Sequence, residues 1–185
     1  MGILIILTGK TASGKDTVMS QLLSKYPQMK RVVSTTTRSP RKGEKDGVDY
    51  NFISEPQFRQ KMEAGDFIEY VEYGGNLYGS EKSQISDVQN QDLIWRIDPS
   101  RAGQIKDLIK DIKVLVIYLT VDDSVILKRL SSRGLSHEEI NKRMQEDQKF
   151  WQQFKDNYDY IVENVPGKLD ETVKQVAKII NEHKI

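Results

Sequence analysis

The segment GKTASGKDT, residues 9–17, has the glycine and lysine spacing of a loop that binds the phosphates of a nucleotide. Gly9 and Gly14 are separated by four residues and followed by Lys15, and such glycines let consecutive backbone amides turn inward onto an anion. Lys15 can then reach the β- and γ-phosphates and stabilise the charge that moves during phosphoryl transfer. A glycine-rich turn that merely starts a helix is the alternative. The aliphatic run at residues 3–7 favours the phosphate loop, because the mechanism needs a strand before it.

The residue after the lysine departs from the usual pattern of such loops. Many of them carry a Ser or Thr there, whose hydroxyl binds magnesium, whereas this chain has Asp16 followed by Thr17. One hypothesis is that Asp16 contacts magnesium through water, with Thr17 supplying the hydroxyl. The alternative is that Asp16 points away from the phosphates and is only a first-turn acid, which the helix dipole favours. The sequence leaves both open.

Four further segments carry the residue types of an acceptor site for a nucleoside monophosphate. They are STTTRSPRKGEKDGVDYNF (residues 34–52), FIEY (67–70), LYGS (77–80) and RID (96–98). Together with the phosphate loop they strongly resemble the guanylate kinase family, and the resemblance extends from the first predicted strand to the last predicted helix. It implies an enzyme that transfers a phosphoryl group from ATP to GMP, and also to dGMP, with Mg²⁺.

The resemblance implies that one group of residues binds the GMP phosphate. Arg38 and Arg41 can hold a dianionic monophosphate with two guanidinium forks, and the hydroxyls of Ser34, Tyr50 and Tyr78 would complete its shell. Each residue alone has an ordinary alternative, because basic loop residues usually face water and strand tyrosines usually pack. Their joint occurrence in the family's order favours the binding site.

A second group of residues is implied to bind the guanine base. Guanine presents N1–H and an exocyclic amino group side by side, and the carboxylate of Glu69 can accept from both. Asp98 can accept a second amino hydrogen, and Ser80 can donate to O6. Adenine presents the opposite pattern, and sites built on such hydrogen bonds discriminate by ~10⁴ or more. The complete implied GMP-binding set is Ser34, Arg38, Arg41, Tyr50, Glu69, Tyr78, Gly79, Ser80 and Asp98.

A lid is implied by LKRLSSRGLSHEEINKRM, residues 127–144, which resembles the arginine-rich lid segment of the family. Arg129 and Arg133 are four residues apart and can share one helical face. With Arg143 they would close over the ATP phosphates and exclude water; a basic stripe on an exposed helix is the alternative. The implied catalytic residues are Lys15, Arg38, Arg129, Arg133 and Arg143. The implied ATP-binding residues are Gly9, Lys10, Thr11, Ala12, Ser13, Gly14, Lys15, Asp16, Thr17 and Asn164, with Asp16 and Thr17 the candidate metal ligands.

Two segments depart from the family pattern. After Ile97 and Asp98 the family typically has Gln-Gly, whereas this chain has PSRAG, residues 99–103, which places Arg101 near the guanine side without an assigned role. NVPG, residues 164–167, replaces the family's asparagine followed by acids, although Asn164 itself matches. This second departure lies where the adenine of ATP is expected. Neither removes a charge-stabilising group.

The elements that must position these residues alternate between strands and helices along most of the chain, which predicts a parallel sheet with helices on both faces. Strands are predicted at residues 3–7, 31–37, 92–98, 113–120 and 158–164, and helices at residues 15–26, 80–90, 99–111, 122–134, 136–157 and 168–183. Short strands around a helix at residues 55–65 predict a small α+β insert. The predicted fold is therefore α/β of the P-loop NTPase type. Its predicted divisions are a core at residues 1–33, 81–123 and 147–185, a GMP-binding insert at 34–80 and a lid at 124–146.

Composition narrows the remaining possibilities. The 28 basic and 27 acidic residues give a net charge of +1, which argues against a general nucleic-acid binder. The chain has no cysteine and only two histidines, far apart, so disulfides, thiolate chemistry and a histidine-built metal site are not expected. The first aliphatic run is too short for a signal core or a membrane span, so a cytoplasmic protein without a membrane partner is expected. The sequence does not fix the oligomeric state.

Two other functions are compatible with parts of the sequence. A related kinase acting on a phosphorylated sugar is disfavoured because a sugar does not need the guanine-reading set of Glu69, Ser80 and Asp98. A non-catalytic interaction module of the same fold is disfavoured because the chain keeps Lys15 and the lid arginines.

Overall fold

The structure, a computed structural model, describes residues 2–73 and 75–184. In chain order the strands are β1 (Leu4–Gly9), β2 (Lys30–Arg31), β3 (Thr35–Thr36), β4 (Asn51–Phe52), β5 (Phe67–Tyr73), β6 (Asn76–Glu81), β7 (Leu93–Arg96), β8 (Val114–Thr120) and β9 (Tyr160–Glu163). The α-helices are α1 (Lys15–Lys25), α2 (Glu55–Glu63), α3 (Pro99–Ala102), α4 (Ile105–Leu108), α5 (Asp123–Ser132), α6 (His137–Phe154) and α7 (Leu169–Glu182). Two 3₁₀ helices span Lys82–Gln89 and Lys155–Asn157.

The larger sheet is parallel throughout and has the strand order β2-β7-β1-β8-β9. Its central strand β1 is buried on both faces: Ile5 and Leu7 pack toward α1 and α7, whereas Leu4 and Ile6 pack toward the opposite layer. An uninterrupted aliphatic run has this property because successive side chains of a strand alternate between the two faces. The predicted α/β fold with a parallel sheet and flanking helices is confirmed.

The smaller sheet lies within the predicted insert. It has the order β4-β3-β6-β5, with β6 antiparallel to both of its neighbours. Phe58 of α2 packs on Phe67 and Leu77, so one face of this sheet has a small apolar core of its own. The domain limits given above, 34–80 for the insert and 124–146 for the lid, stay a proposal.

The run RVVSTTT does not form one strand, as the sequence predicted, but is shared between the two sheets. Arg31 pairs with β7 of the larger sheet, and Val32 N–H still donates to Ile94 O at 2.9 Å. Thr35 then pairs in the smaller sheet, and Ser34 lies at the crossing. Strand propensity cannot tell which sheet a β-forming residue joins, because that depends on distant partners.

Two predicted helices are also revised. Residues 82–89 form a 3₁₀ helix, in which Ile85 and Val88 are its buried apolar side chains. Residues three apart eclipse one another in a 3₁₀ helix, so this spacing suits it. The helix predicted at residues 99–111 is broken into α3 and α4 around Gly103, where a Cβ would lie 2.3 Å from Phe154.

The lid segment follows its local signals. Helix α5 ends just before Gly134, whose φ of 80° allows the turn out of the helix. Ser136 and Glu139 form a reciprocal capping box at the start of α6, as their spacing predicts. No helix among the described residues is long and apolar enough to cross a membrane.

Candidate nucleotide-binding site

The loop between β1 and α1 has the backbone shape that its glycines predict. Gly9 has a φ of 142° and Gly14 a φ of 91°. A Cβ on Gly9 would lie 2.0 Å from Leu119 O, and a Cβ on Gly14 would lie 2.6 Å from Asn164 Nδ2. Ala12 also has a positive φ, 52°, which is uncommon outside glycine. The loop therefore needs glycine at two positions both for conformation and for space.

Lys15 folds back over this loop. Its Nζ donates to Gly9 O at 2.8 Å and to Lys10 O at 2.7 Å. Burial lowers the pKa of Lys15 to about 8, against the opposing effect of the nearby Asp147 carboxylate. The buried Lys15 ammonium can exchange its two carbonyl partners for the oxygens of an incoming phosphate.

Two residues from distant segments brace the loop. Asn164, which is buried, donates from Nδ2 to Ser13 O at 2.8 Å and accepts from Thr172 Oγ1 at 3.0 Å. Arg129 of α5 donates from NH1 to Ala12 O at 2.6 Å. Both ends of the Asn164 amide are thus used inside the fold, so this residue positions the loop.

The predicted ATP-binding and lid residues are not all on one cavity. Thr17, Arg129, Arg133 and Asn164 line a cavity of about 250 Å³ beside the loop, here called the lid cavity. Arg143 lies instead on a cavity with Lys15. The predicted lid arginines therefore line two different cavities beside the loop.

Asp16 contacts Arg96 at the end of β7, with its Oδ1 2.9 Å from the arginine Nε. The Asp16 side chain is 71% exposed and lines a cavity with Arg38 and Arg41, whereas Thr17 lines the lid cavity. The two candidate metal ligands thus lie on different sides of the first turn of α1.

Four of the predicted acceptor residues, Ser34, Tyr50, Tyr78 and Asp98, share one cavity with the phosphate loop, whereas Glu69 and Ser80 do not line it. This central cleft, of about 330 Å³, is lined by Lys15 on one side and by Ser34, Tyr50 and Tyr78 on the other. The Ser34 and Ser80 hydroxyl oxygens are 3.1 Å apart, and the two tyrosine rings pack edge to face at 6.2 Å. The crossing of the chain between the sheets at Ser34 is what brings these residues to the cleft.

The two phosphate-binding arginines of the prediction line a second cavity of about 560 Å³, next to the cleft. Arg38 forms a two-pronged pair with Glu44, with NH1 and NH2 2.8 and 2.9 Å from the carboxylate oxygens, and its guanidinium lies 5.3 Å from the centre of the Tyr50 ring. The hydrogen bond from Arg38, with one from the Arg41 amide, lowers the pKa of Glu44 to about 2. Glu44 therefore fixes Arg38 while no phosphate competes for it.

Glu69 lies on β5 directly opposite Ser80 of β6. Its side chain is only 9% exposed, and burial raises the pKa of Glu69 in spite of the Arg101 charge and a hydrogen bond from Ser80. Arg101 NH1 lies 3.0 Å from Glu69 Oε2 and 3.3 Å from Oε1. A buried carboxylate is costly to leave without hydrogen-bond donors, so Glu69 is suited to accept hydrogen bonds from a ligand.

Asp98 has a structural role that the sequence did not predict. It is the N-cap of α3, and its Oδ1 accepts from the backbone amides of Ser100 and Arg101. Its Oδ2 lies 2.9 Å from Arg101 Nε. Gly79, also predicted in the GMP set, turns its Cα toward Phe58 and Phe67, because a Cβ there would lie within 3 Å of both rings.

Sequence reasoning missed two residues of the site. Arg96 lines the central cleft and contacts Asp16 and, at 3.4 Å, the Tyr50 hydroxyl. Asp147 of α6 accepts from Thr11 N–H of the phosphate loop at 2.6 Å. Arg96 lies two residues before Asp98 in the segment RID, so the sequence contains a signal for it. No local pattern marks Asp147, because its partner Thr11 is 136 residues away.

A phosphate loop at the end of a parallel strand, sharing a cleft with hydroxyls from a second sheet, defines a phosphate-loop nucleotide-binding protein with room for a second ligand. Comparison with known proteins shows which family within this class the chain belongs to. The model of the guanylate kinase family matches residues 1–183. The guanylate kinase of Symbiobacterium thermophilum is 34% identical over 180 residues, covering 96% of this chain and 82% of that protein. That of Clostridioides difficile is 34% identical over 186 residues, covering 99% and 89%.

The chain therefore belongs to the guanylate kinase family, and the resemblance seen in the sequence is confirmed. A crystal structure of guanylate kinase from Anaplasma phagocytophilum has the same fold. It superposes with a TM-score of 0.77 at 24% identity, covering 100% of this chain and 87% of that one.

Proposed function

We propose that this protein is an ATP:GMP phosphotransferase, a nucleoside monophosphate kinase that converts ATP and GMP to ADP and GDP, with dGMP as a further acceptor. The observation that carries the proposal is the central cleft, where Lys15 of the phosphate loop faces the hydroxyls of Ser34, Tyr50 and Tyr78. Membership of the guanylate kinase family over residues 1–183 supports it.

In the proposed reaction a phosphate oxygen of GMP attacks the γ-phosphorus of ATP in line, and the bond to the β,γ-bridging oxygen breaks to release ADP. The acceptor is already an anion, so no strong general base is needed. Lys15 and the lid arginines Arg129, Arg133 and Arg143 would stabilise the charge on the transferring group. Positioning in the shared cleft would supply much of the remaining acceleration.

The GMP phosphate is proposed to bind Arg38 and Arg41, with Ser34, Tyr50 and Tyr78. For this, Arg38 must exchange its carboxylate partner Glu44 for a phosphate. A two-pronged guanidinium pair suits either ligand, since carboxylate and phosphate present similar pairs of oxygens. Closure of the insert and the lid on the core would bring the two cavities together.

The guanine base is proposed to bind Glu69 and Ser80, which lie opposite one another on β5 and β6. The Oδ1 oxygen of Asp98 is committed to the start of α3. Asp98 would therefore accept from the exocyclic amino group through Oδ2, which contacts Arg101 Nε with one of its two lone pairs. The adenine side is proposed to lie at the lid cavity, which Asn164 and Pro166 line.

Magnesium is proposed to arrive with the ATP phosphates. No group of three or more His, Cys, Asp or Glu side chains that could hold a metal ion is found within residues 2–73 and 75–184. Mg²⁺ keeps several waters and commonly uses only one or two protein oxygens, and the exposed Asp16 carboxylate and Thr17 hydroxyl offer such oxygens at the first turn of α1. When bound, the metal would neutralise phosphate charge.

A coupled assay with ATP and a panel of acceptors tests the proposal. We expect phosphorylation of GMP and dGMP and at most weak activity with AMP, CMP, UMP and sugar phosphates. Activity on AMP comparable to that on GMP would contradict guanine recognition by Glu69. A sugar phosphate as the best acceptor would favour the related sugar-phosphate kinase, and no activity with any acceptor would favour a non-catalytic module.

A further inference from the structure

We propose that Arg101 limits the affinity for GMP by occupying Glu69 until guanine displaces it. The inference rests on the proposed function and adds a residue to which that function assigns no role. It concerns a position where this chain carries an arginine in the segment PSRAG, immediately after the predicted base-reading residues.

Arg101 stands between Glu69 and the central cleft. Its guanidinium bridges the two acids of the base pocket, with NH1 3.0 Å from Glu69 Oε2 and Nε 2.9 Å from Asp98 Oδ2. Arg101 lines the cleft and its side chain is 24% exposed, whereas that of Glu69 is 9% exposed. A base entering from the cleft therefore meets Arg101 before it reaches Glu69.

The arginine and the base offer the carboxylate the same chemistry. The N1–H, C2 and exocyclic amino group of guanine form a guanidine fragment, whose N–H bonds point side by side. A guanidinium presents the same edge and carries a charge in addition. Because one carboxylate can accept one such pair of donors at its outer edge, Arg101 and guanine compete for Glu69.

A ligand can readily replace the contact between Arg101 and Glu69. Arg101 reaches Glu69 with a single nitrogen, NH1, and Glu69 Oε2 has no partner that satisfies hydrogen-bond geometry. A ligand with two parallel donors can satisfy both oxygens and so replace a one-nitrogen contact. Arg101 keeps a second anchor in Asp98, which is itself fixed as the N-cap of α3.

The exchange favours guanine over adenine. Adenine presents a lone pair at N1, so it cannot supply the paired donors that Glu69 requires and leaves Arg101 in place. Guanine gains Glu69 but must separate a part-buried charge pair, which weakens its net affinity. Arg101 thus lowers the affinity for GMP, and a base without an N1–H leaves Glu69 paired with Arg101.

The test compares the wild-type protein with Arg101→Met, which keeps the aliphatic chain and removes the guanidinium. We expect GMP to bind about tenfold more tightly to the variant by calorimetry, since a hydrogen bond to a charged group contributes roughly that factor. The KM for GMP should fall in parallel, while the Kd for ATP and kcat stay within about twofold. Arg59→Met is the control, because Arg59 pairs with Glu55 on the exposed face of α2.

A double-variant comparison separates competition from a structural effect. The Glu69→Gln change removes the negative charge that Arg101 neutralises and one of the two acceptor oxygens, so Arg101→Met should tighten GMP binding little or not at all in that background. Arg101→Lys, which keeps the charge but not the planar fork, should give a smaller gain than Arg101→Met and serves if the latter folds poorly.

Unchanged or weaker GMP binding in Arg101→Met and in Arg101→Lys, with ATP binding intact, would overturn the inference. The same gain in the Glu69→Gln background would also overturn it. If wild-type protein phosphorylates GMP and the variants match it in GMP affinity, only the inference fails. If neither wild type nor Arg101→Met binds or phosphorylates GMP, the proposed function fails and the inference with it.

Discussion

The phosphate loop and the base pocket of this protein are built in different ways. The loop is one continuous segment, residues 9–17, and its binding groups are mainly backbone amides shaped by Gly9 and Gly14. The proposed base pocket is assembled from β5, β6 and the start of α3, and its proposed binding groups are the side chains of Glu69, Ser80 and Asp98. A general anion site can be local, whereas a site that distinguishes one base from another needs side chains from several elements.

In both regions a side chain from another segment contacts the binding groups. This side chain is acidic at the loop and basic at the pocket. At the loop, the carboxylate of Asp147 accepts from Thr11 N–H, so an anion occupies a place where phosphate is expected. At the base pocket, the cation of Arg101 contacts Glu69, although the expected ligand there is a neutral base. Phosphate binding at the loop would therefore replace one anion, the Asp147 carboxylate, by another. Base binding would instead remove the positive charge of Arg101 from the buried Glu69 carboxylate.

The largest effect is expected from removing the loop cation. Lys15→Ala should lower kcat about 10³-fold, because an electrostatic stabiliser of the transferring phosphoryl group is lost, while GMP affinity stays within about twofold. Steady-state kinetics and GMP calorimetry measure the two. Lys25→Ala, at the exposed end of α1, is the control. A parallel loss of GMP affinity would mean that the two regions are not separable in function.

The next effect concerns the base pocket alone. Glu69→Gln should lower kcat/KM for GMP by about 10²-fold, because the amide donors of glutamine face the donors of guanine. The KM for ATP should be unchanged. Glu72→Gln on the same strand is a matched control, since Glu72 is exposed. An ATP affinity that falls together with GMP preference would remove the distinction between the regions.

The loop should also be sensitive to pH. With the pKa of Lys15 at about 8, kcat/KM for ATP should fall about tenfold per pH unit above that value, because it reports the free enzyme and only the protonated amine attracts phosphate. The Lys15→Arg variant stays charged and should not show this decline.

The ligand-free protein should gain stability as the pH rises from about 8 to 10.5, because the unfolded chain holds the Lys15 proton more tightly in that range. A flat profile to pH 9.5 would contradict the low pKa.

The sequence predicts features that depend on neighbouring residues better than features that are assembled from distant parts of the chain. The loop, the capping box of Ser136 and Glu139 and the turn at Gly134 depend on neighbouring residues, and the structure agrees with them. The split of residues 30–36 between two sheets could not be predicted, because it depends on partners far along the chain. The same holds for Asp147, whose contact with the loop no local pattern marks.

Within the site, the sequence supplied residue identities better than residue contacts. The arginine at position 101 was visible as a departure, but its bridge between two acids depends on how β5 approaches α3. The capping of α3 by Asp98 has a local signal, an aspartate just before Pro99, that was overlooked. The roles of the individual site residues stay predictions.

A smaller effect is expected at the first turn of α1. If Asp16 contacts magnesium through water, Asp16→Ala, which supplies no replacement oxygen, should raise the Mg²⁺ concentration for half-maximal rate several-fold with kcat nearly unchanged at saturating metal. Titration of the metal at fixed ATP measures this. Thr17→Val tests the neighbouring hydroxyl in the same way. An unchanged metal requirement and turnover in Asp16→Ala and in Asp16→Ser would leave Asp16 as a first-turn acid paired with Arg96.

The most direct test of a single cleft uses one molecule that spans both regions: adenosine and guanosine joined 5′ to 5′ by five phosphates. Calorimetry should show one molecule bound per chain, at least about 10²-fold more tightly than ATP or GMP alone. Both Lys15→Ala and Glu69→Gln should weaken it. Binding no tighter than that of ATP, or undiminished binding of GMP to the saturated protein, would show that the phosphate loop and the base pocket do not serve one reaction.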